Sequence, residues 1–165
     1  MATLTVLKFT NAEGAQEALT KLMDLQKQRL ITIQDAATVS WPEGKKKPKT
    51  RQAVPTGTIG ALDGAFWGML FGLLFFVPFF GMAIGAVIGG LSGKMADYGI
   101  NDQFIKEVRD KVTEGTSALF LLSSGAVTER LAEEFKGTEF ELIASNLTQE
   151  QEAELMAAFG QEDEA

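Results

Sequence analysis

Alternating apolar and polar residues predict short β-strands on both sides of a long apolar stretch. In the first of them, Leu4 and Val6 alternate with polar neighbours from Thr3 to Phe9. The run Ala118–Leu122 is apolar throughout, which is typical of a central strand that is buried on both sides. The same reasoning predicts strands over 3–9, 31–41, 46–54, 118–122 and 140–143.

Apolar residues three and four apart predict helices between these strands. The first covers 12–28 after a predicted cap at Asn11, and the second follows Asn101 and ends by Gly115. A third helix face lies within 127–135. A last helix starts with a predicted capping box formed by Thr148 and Gln151.

The stretch from Gly64 to Leu91, called the apolar segment below, carries no charged residue. Glycine recurs at every fourth position on both sides of Pro78, so each row lies on one helix face and permits close approach of another backbone. Pro78 favours a turn, and hence a helical hairpin. The first glycine row is Gly60, Gly64, Gly68 and Gly72, and the second is Gly81, Gly85, Gly89 and Gly93.

A turn at Pro78 leaves Asp63 and Lys94 equally far from it, so we expect an ion pair at the base of the hairpin. Each uncharged arm would be about 22 Å long, which is short for a hydrocarbon core of about 30 Å. Two alternatives therefore stay open. The hairpin dips into or thinly spans a bilayer, or it forms the buried centre of a homo-oligomer.

The order of elements, β-α-β-β, hairpin, α-β-α-β-α, predicts an α+β fold in which a ferredoxin-like sandwich carries the inserted hairpin. Both halves have to complete one sheet, so the chain leaves and re-enters any membrane on the same side. The predicted division is 1–55 for the first half of the sandwich, 56–98 for the hairpin, 99–160 for the second half and 161–165 for an acidic tail.

Charge and composition exclude several classes of function. A net charge of −7 argues against a nucleic-acid binder, because such proteins present a basic surface to phosphates. The chain has no cysteine and no histidine, which removes thiolate nucleophiles, zinc sites and histidine-dependent triads. We therefore expect no enzyme, cofactor or metal. Met1–Phe9 lacks the pattern of an export signal, so we expect the folded part in the cytoplasm.

Five of the fifteen basic residues fall within seven positions just before the apolar segment. One interpretation is a charged edge strand that prevents aggregation. The other is a patch that attracts anionic membrane lipid, with the base of the hairpin on the cytoplasmic side. This basic run consists of Lys45, Lys46, Lys47, Lys49 and Arg51.

Specific blocks of sequence resemble a known family. They are Gly64–Phe76 with its Ala65-Phe-Trp-Gly68 core, Gly81–Ala86, Asp97–Asp102 and Ser117–Leu122. They resemble an uncharacterised bacterial family of predicted membrane proteins that is defined by a domain of unknown function. The resemblance covers nearly the whole chain and implies a membrane location, but it carries no catalytic residue.

The leading hypothesis is a non-enzymatic, membrane-associated homo-oligomer with a structural or stress-related role, assembled through the two glycine rows. One alternative is a small ion channel, with Asp63 contributing an ion-coordinating or proton-sensing ring. Another is a soluble homo-oligomer in which the hairpins form the buried core.

Overall fold

The computed structural model describes residues 2–28, 33–52, 64–76, 94–124, 130–131 and 133–159. The strands are β1 (Ala2–Phe9), β2 (Ile33–Ser40), β3 (Lys49–Gln52), β4 (Ser117–Ser124) and β5 (Phe140–Asn146). The helices are α1 (Gly14–Lys27), α2 (Gly64–Phe71), a π-helical segment (Gly72–Phe76), α3 (Asp102–Lys111) and α4 (Gln149–Phe159). These elements make the fold α+β.

The five strands form one antiparallel sheet in the order β3-β2-β4-β1-β5. The predicted central position of 118–122 is confirmed, because β4 pairs with β1 on one side and with β2 on the other. A register shift between Ile33 and Asp35 interrupts the pairing of β2 with β4. Strands from both sides of the apolar segment therefore belong to a single sheet.

One face of the sheet is covered by α1. Leu19 and Leu22 of α1 share a buried cluster with Leu7 and Phe9 of β1 and with Leu119 of β4. Leu131 and Phe135 join the same cluster, which confirms the face predicted around 127–135 at the two positions that the structure describes. The apolar stripe of α1 thus covers the sheet, as its amphipathic pattern predicts.

The opposite face is covered by α2, the π-helical segment, α3 and α4. Leu4 and Val6 of β1 point to this face, as expected from the alternation of side chains along a strand. Phe104, Ile105, Val108 and Val112 are buried here, so the predicted apolar face of α3 is confirmed. The central strands β1 and β4 are consequently buried on both sides.

Two of the three predicted helix caps are observed, and one is not. Asn101 caps α3 as predicted, since its Oδ1 accepts a hydrogen bond from the Phe104 N–H at 2.9 Å. Asn11 does not cap α1, because its Oδ1 accepts from the N–H of Glu13, the residue before the helix. The capping box of α4 is present, with hydrogen bonds in both directions between Thr148 and Gln151.

Candidate functional site

The first half of the apolar segment forms part of the core of the chain itself. Its large side chains lie on the sheet with at most 3% of their surface exposed, namely Phe66, Trp67, Leu70, Phe71, Leu73, Leu74 and Phe75. Phe71 stands edge-on to Phe120 of β4, with ring centroids 5.2 Å apart. These side chains therefore pack against the chain's own sheet, because one face of the antiparallel sheet needed an apolar cover. The contact of the hairpin with lipid or with other subunits stays a prediction.

The change from α-helix to π-helix explains how three consecutive side chains, Leu73 to Phe75, are all buried. A π-helix has a wider turn than an α-helix, so consecutive side chains are separated by a smaller angle around the helix axis. Arg109 of α3 donates to the carbonyl oxygens of Leu73 and Leu74. Arg109 thus links the π-helical segment to α3.

Three glycines of the first row lie in described residues. Gly64 begins α2, Gly68 is exposed and Gly72 is partly exposed. A Cβ atom built on Gly68 or Gly72 has no described atom within 4 Å. Gly68 and Gly72 therefore lie on the helix face that points away from the sheet. Outside the described residues lie Gly60, Gly81, Gly85, Gly89 and Gly93.

The predicted ion pair at the base of the hairpin also involves a residue outside the described ranges. Lys94 lies in the helical turn described over 94–97 and is exposed to solvent. Asp63 and Pro78 are not among the described residues. The pairing, and the ring of carboxylates considered for a channel, stay predictions.

The basic run occupies the connection between β2 and β3 and most of β3 itself. The side chains of Lys45, Lys46, Lys47, Lys49 and Arg51 are all exposed. Pro48, in the middle of the run, is buried and anchors the connection. β3 begins at Lys49, later than predicted, and lies at the edge of the sheet, paired only with β2 among the described strands. The run is thus both an edge strand and an open cationic surface.

Trp41 connects the basic run to the apolar segment. Its Nε1 donates to the Lys45 carbonyl oxygen at 2.8 Å, and its ring stands edge-on to Phe75 with centroids 6.1 Å apart. The backbone of Trp41 is fixed in turn by Thr116 and Gly115, and a Glu114 carboxylate oxygen accepts from the Gly44 N–H. Sequence reasoning placed Trp41 only at the end of a strand, because nothing along the chain links it to Phe75.

Within the part of the chain that the structure describes, no helix has both the length and the apolar character needed to cross a membrane.

A family model for proteins of unknown function, DUF1269, matches residues 61–160. The chain belongs to the DUF1269 family. In this DUF1269 protein the match contains the whole apolar segment, β4 and β5, whereas the basic run precedes it. The resemblance to a family without an established function is thereby confirmed. The searches of curated proteins and of solved structures found no match.

Proposed function

We propose that this DUF1269 protein is a non-enzymatic, membrane-associated homo-oligomer whose folded domain rests on an anionic membrane surface. The observation that carries this proposal is the contact between Trp41 and Phe75. It fixes the exposed cationic run beside the end of the π-helical segment, from which the rest of the apolar segment continues. A cationic surface beside the start of a long uncharged stretch fits the interface of an anionic membrane.

The domain is proposed to be a ferredoxin-like sandwich with an insertion. Without the edge strand β3, the strand order is β2-β4-β1-β5, and all neighbours are antiparallel. β1 and β2 are joined through α1, and β4 separates them in the sheet, which is the arrangement of a split βαβ unit. The extra strand and the apolar segment are inserted between β2 and β4. This topology leaves one sheet face free for the inserted segment to cover.

Neutralising the cationic run tests the membrane proposal. In the variant K45Q/K46Q/K47Q we expect weaker partitioning of the full chain onto vesicles that contain phosphatidylserine. Each basic residue near an anionic surface contributes about 1 kcal/mol, so three changes lower partitioning by up to about 100-fold. Vesicle flotation at low and high salt measures this effect, and high salt is expected to remove most of the difference.

The matched control is K27Q/K106Q/K136Q, which removes three charges from exposed positions elsewhere in the chain. This control is expected to keep most of the wild-type partitioning. Equal losses in the two variants would mean that only net charge matters, and the proposed orientation would be rejected.

Self-association is proposed to use the exposed glycine face of α2. Gly68→Leu places a large side chain where no described atom lies within 4 Å of the Cβ position. The described part of the chain therefore leaves space at this position, whereas a helix packed on this face is pushed away at a cost of about 1–3 kcal/mol per site. We expect native mass spectrometry in mild detergent to show a smaller assembly.

Met69→Leu is the control, because it changes the shape of a partly buried neighbour without adding bulk to the glycine face. An assembly of unchanged mass in Gly68→Leu would remove the glycine face from the interface.

A second candidate function is a homo-oligomer that does not use lipid. The burial of Phe66–Phe75 within one chain favours it, since half of the apolar segment already has a protein environment. The flotation experiment separates the two candidates. Wild-type chain that stays at the bottom of the gradient with anionic vesicles supports this second candidate and rejects the first.

A further inference from the structure

The two edges of the sheet are protected against strand addition to different degrees. β3 is four residues long, follows Pro48 and carries Lys49 and Arg51, all of which discourage pairing with another chain. β5 is seven residues long, contains no lysine, arginine, proline or glycine, and keeps a regular register with β1 over its full length. Among the described strands it pairs with β1 alone. No described strand covers its outer edge, which therefore presents backbone donors and acceptors to another strand.

We propose that β5 is a second interface of this protein, at which two copies pair their β5 strands antiparallel about a twofold axis through Ile143. The residue is the midpoint of Phe140–Asn146, so this register pairs all seven positions. Moving the axis by one residue leaves two positions of each copy unpaired. Two copies paired in this way form one continuous ten-stranded sheet, which is the usual geometry of strand addition.

The side chains of β5 are compatible with this register. Glu141, the one charged residue of the strand, faces Ser145 of the second copy instead of another Glu141. Among the described large apolar residues, Leu142 is the most exposed, with 37% of its surface accessible to solvent. It faces the exposed Ala144 of the second copy, and the contact occurs twice because of the twofold symmetry. Cross-strand pairs of this kind are the units that stabilise a sheet.

The location of β5 makes this interface independent of the proposed membrane surface. β5 and β3 are the two ends of the sheet, so they are separated by four strand spacings, or about 19 Å. The cationic run lies on and before β3, and α2 contacts β3. Pairing through β5 therefore leaves the cationic run and the glycine face of α2 available, and the two proposals can fail separately.

Disulfide cross-linking tests the register, and native cysteines cannot interfere because the chain contains none. Full-length L142C and A144C chains with different tags are co-expressed and oxidised mildly. In the proposed register residue 142 of one copy lies directly opposite residue 144 of the other, within disulfide distance. Two residues 142 lie diagonally, at about 7–8 Å, which is too far. We expect a mixed-tag disulfide dimer, and little cross-link in either variant alone.

Two matched variants complete the test. L142C co-expressed with A153C is expected to form no mixed-tag disulfide on oxidation, because Ala153 is exposed on α4 and is not part of the paired strand. A144K is expected to weaken dimerisation at least tenfold by analytical ultracentrifugation, whereas A153K leaves it unchanged. Vesicle flotation of A144K is expected to match wild type.

The proposal is overturned if the mixed pair forms no more disulfide dimer than the single variants. It is also overturned if A144K and A153K dimerise equally well. Loss of vesicle binding in wild-type chain, with cross-linking intact, would overturn the membrane proposal and leave this interface standing.

Discussion

Phe71→Ala should lower the free energy of unfolding by about 3–5 kcal/mol, the usual cost of truncating a buried aromatic side chain. Phe71 is 3% exposed, stacks on Trp67 at 5.8 Å and meets the Phe120 ring edge-on. Truncation leaves a cavity among rings that are held by the sheet. Denaturant unfolding of the full chain, followed by circular dichroism in one fixed detergent, measures the loss.

Met69→Ala is the control for this prediction, because Met69 lies on the same helix but is only partly buried. Its cost should be clearly smaller than that of Phe71→Ala. Similar losses below about 1 kcal/mol in both variants would indicate that α2 faces lipid or solvent instead of the sheet, because such a site leaves no cavity.

Gly14→Ala should destabilise the protein by about 1–3 kcal/mol, although alanine is the better helix former by up to about 1 kcal/mol. A Cβ atom at position 14 would lie 2.5 Å from the Cβ and 2.8 Å from the Cγ of Phe9. Phe9 is itself held between Phe135 and Phe140, with ring centroids 6.4 Å and 6.3 Å away. The start of α1 must therefore move away from β1.

Gln16→Ala, at an exposed position two residues further along α1, is the matched control and should change stability by less than about 0.5 kcal/mol. Thermal unfolding of both variants measures the difference. A Gly14→Ala variant that melts at or above the wild-type temperature would show that α1 can shift freely on the sheet.

The glycines illustrate how much the sequence predicted. Regular spacing identified Gly64, Gly68 and Gly72 as members of one helix face, and the structure places Gly68 of α2 and Gly72 of the π-helical segment towards the outside. The steric requirement at Gly14 has no signal in the sequence, because it depends on where Phe9 of the neighbouring strand lies. The basic run was identified completely. Its connection to Phe75 through Trp41 was not, since it joins residues that are far apart along the chain.

The sequence by itself determined the elements of this protein. Alternation, β-branched residues and one continuous apolar run predicted the five described strands, and helical periodicity predicted α1, α3 and α4, because these patterns reflect which side of each element is buried. Tertiary structure alone decided what those sides face. A run of uncharged residues packs equally well against lipid, another subunit or the chain's own sheet, since hydrophobic burial is not directional. In this protein the first half of that run covers the open face of the sheet, and β5 is the less protected of the two edge strands.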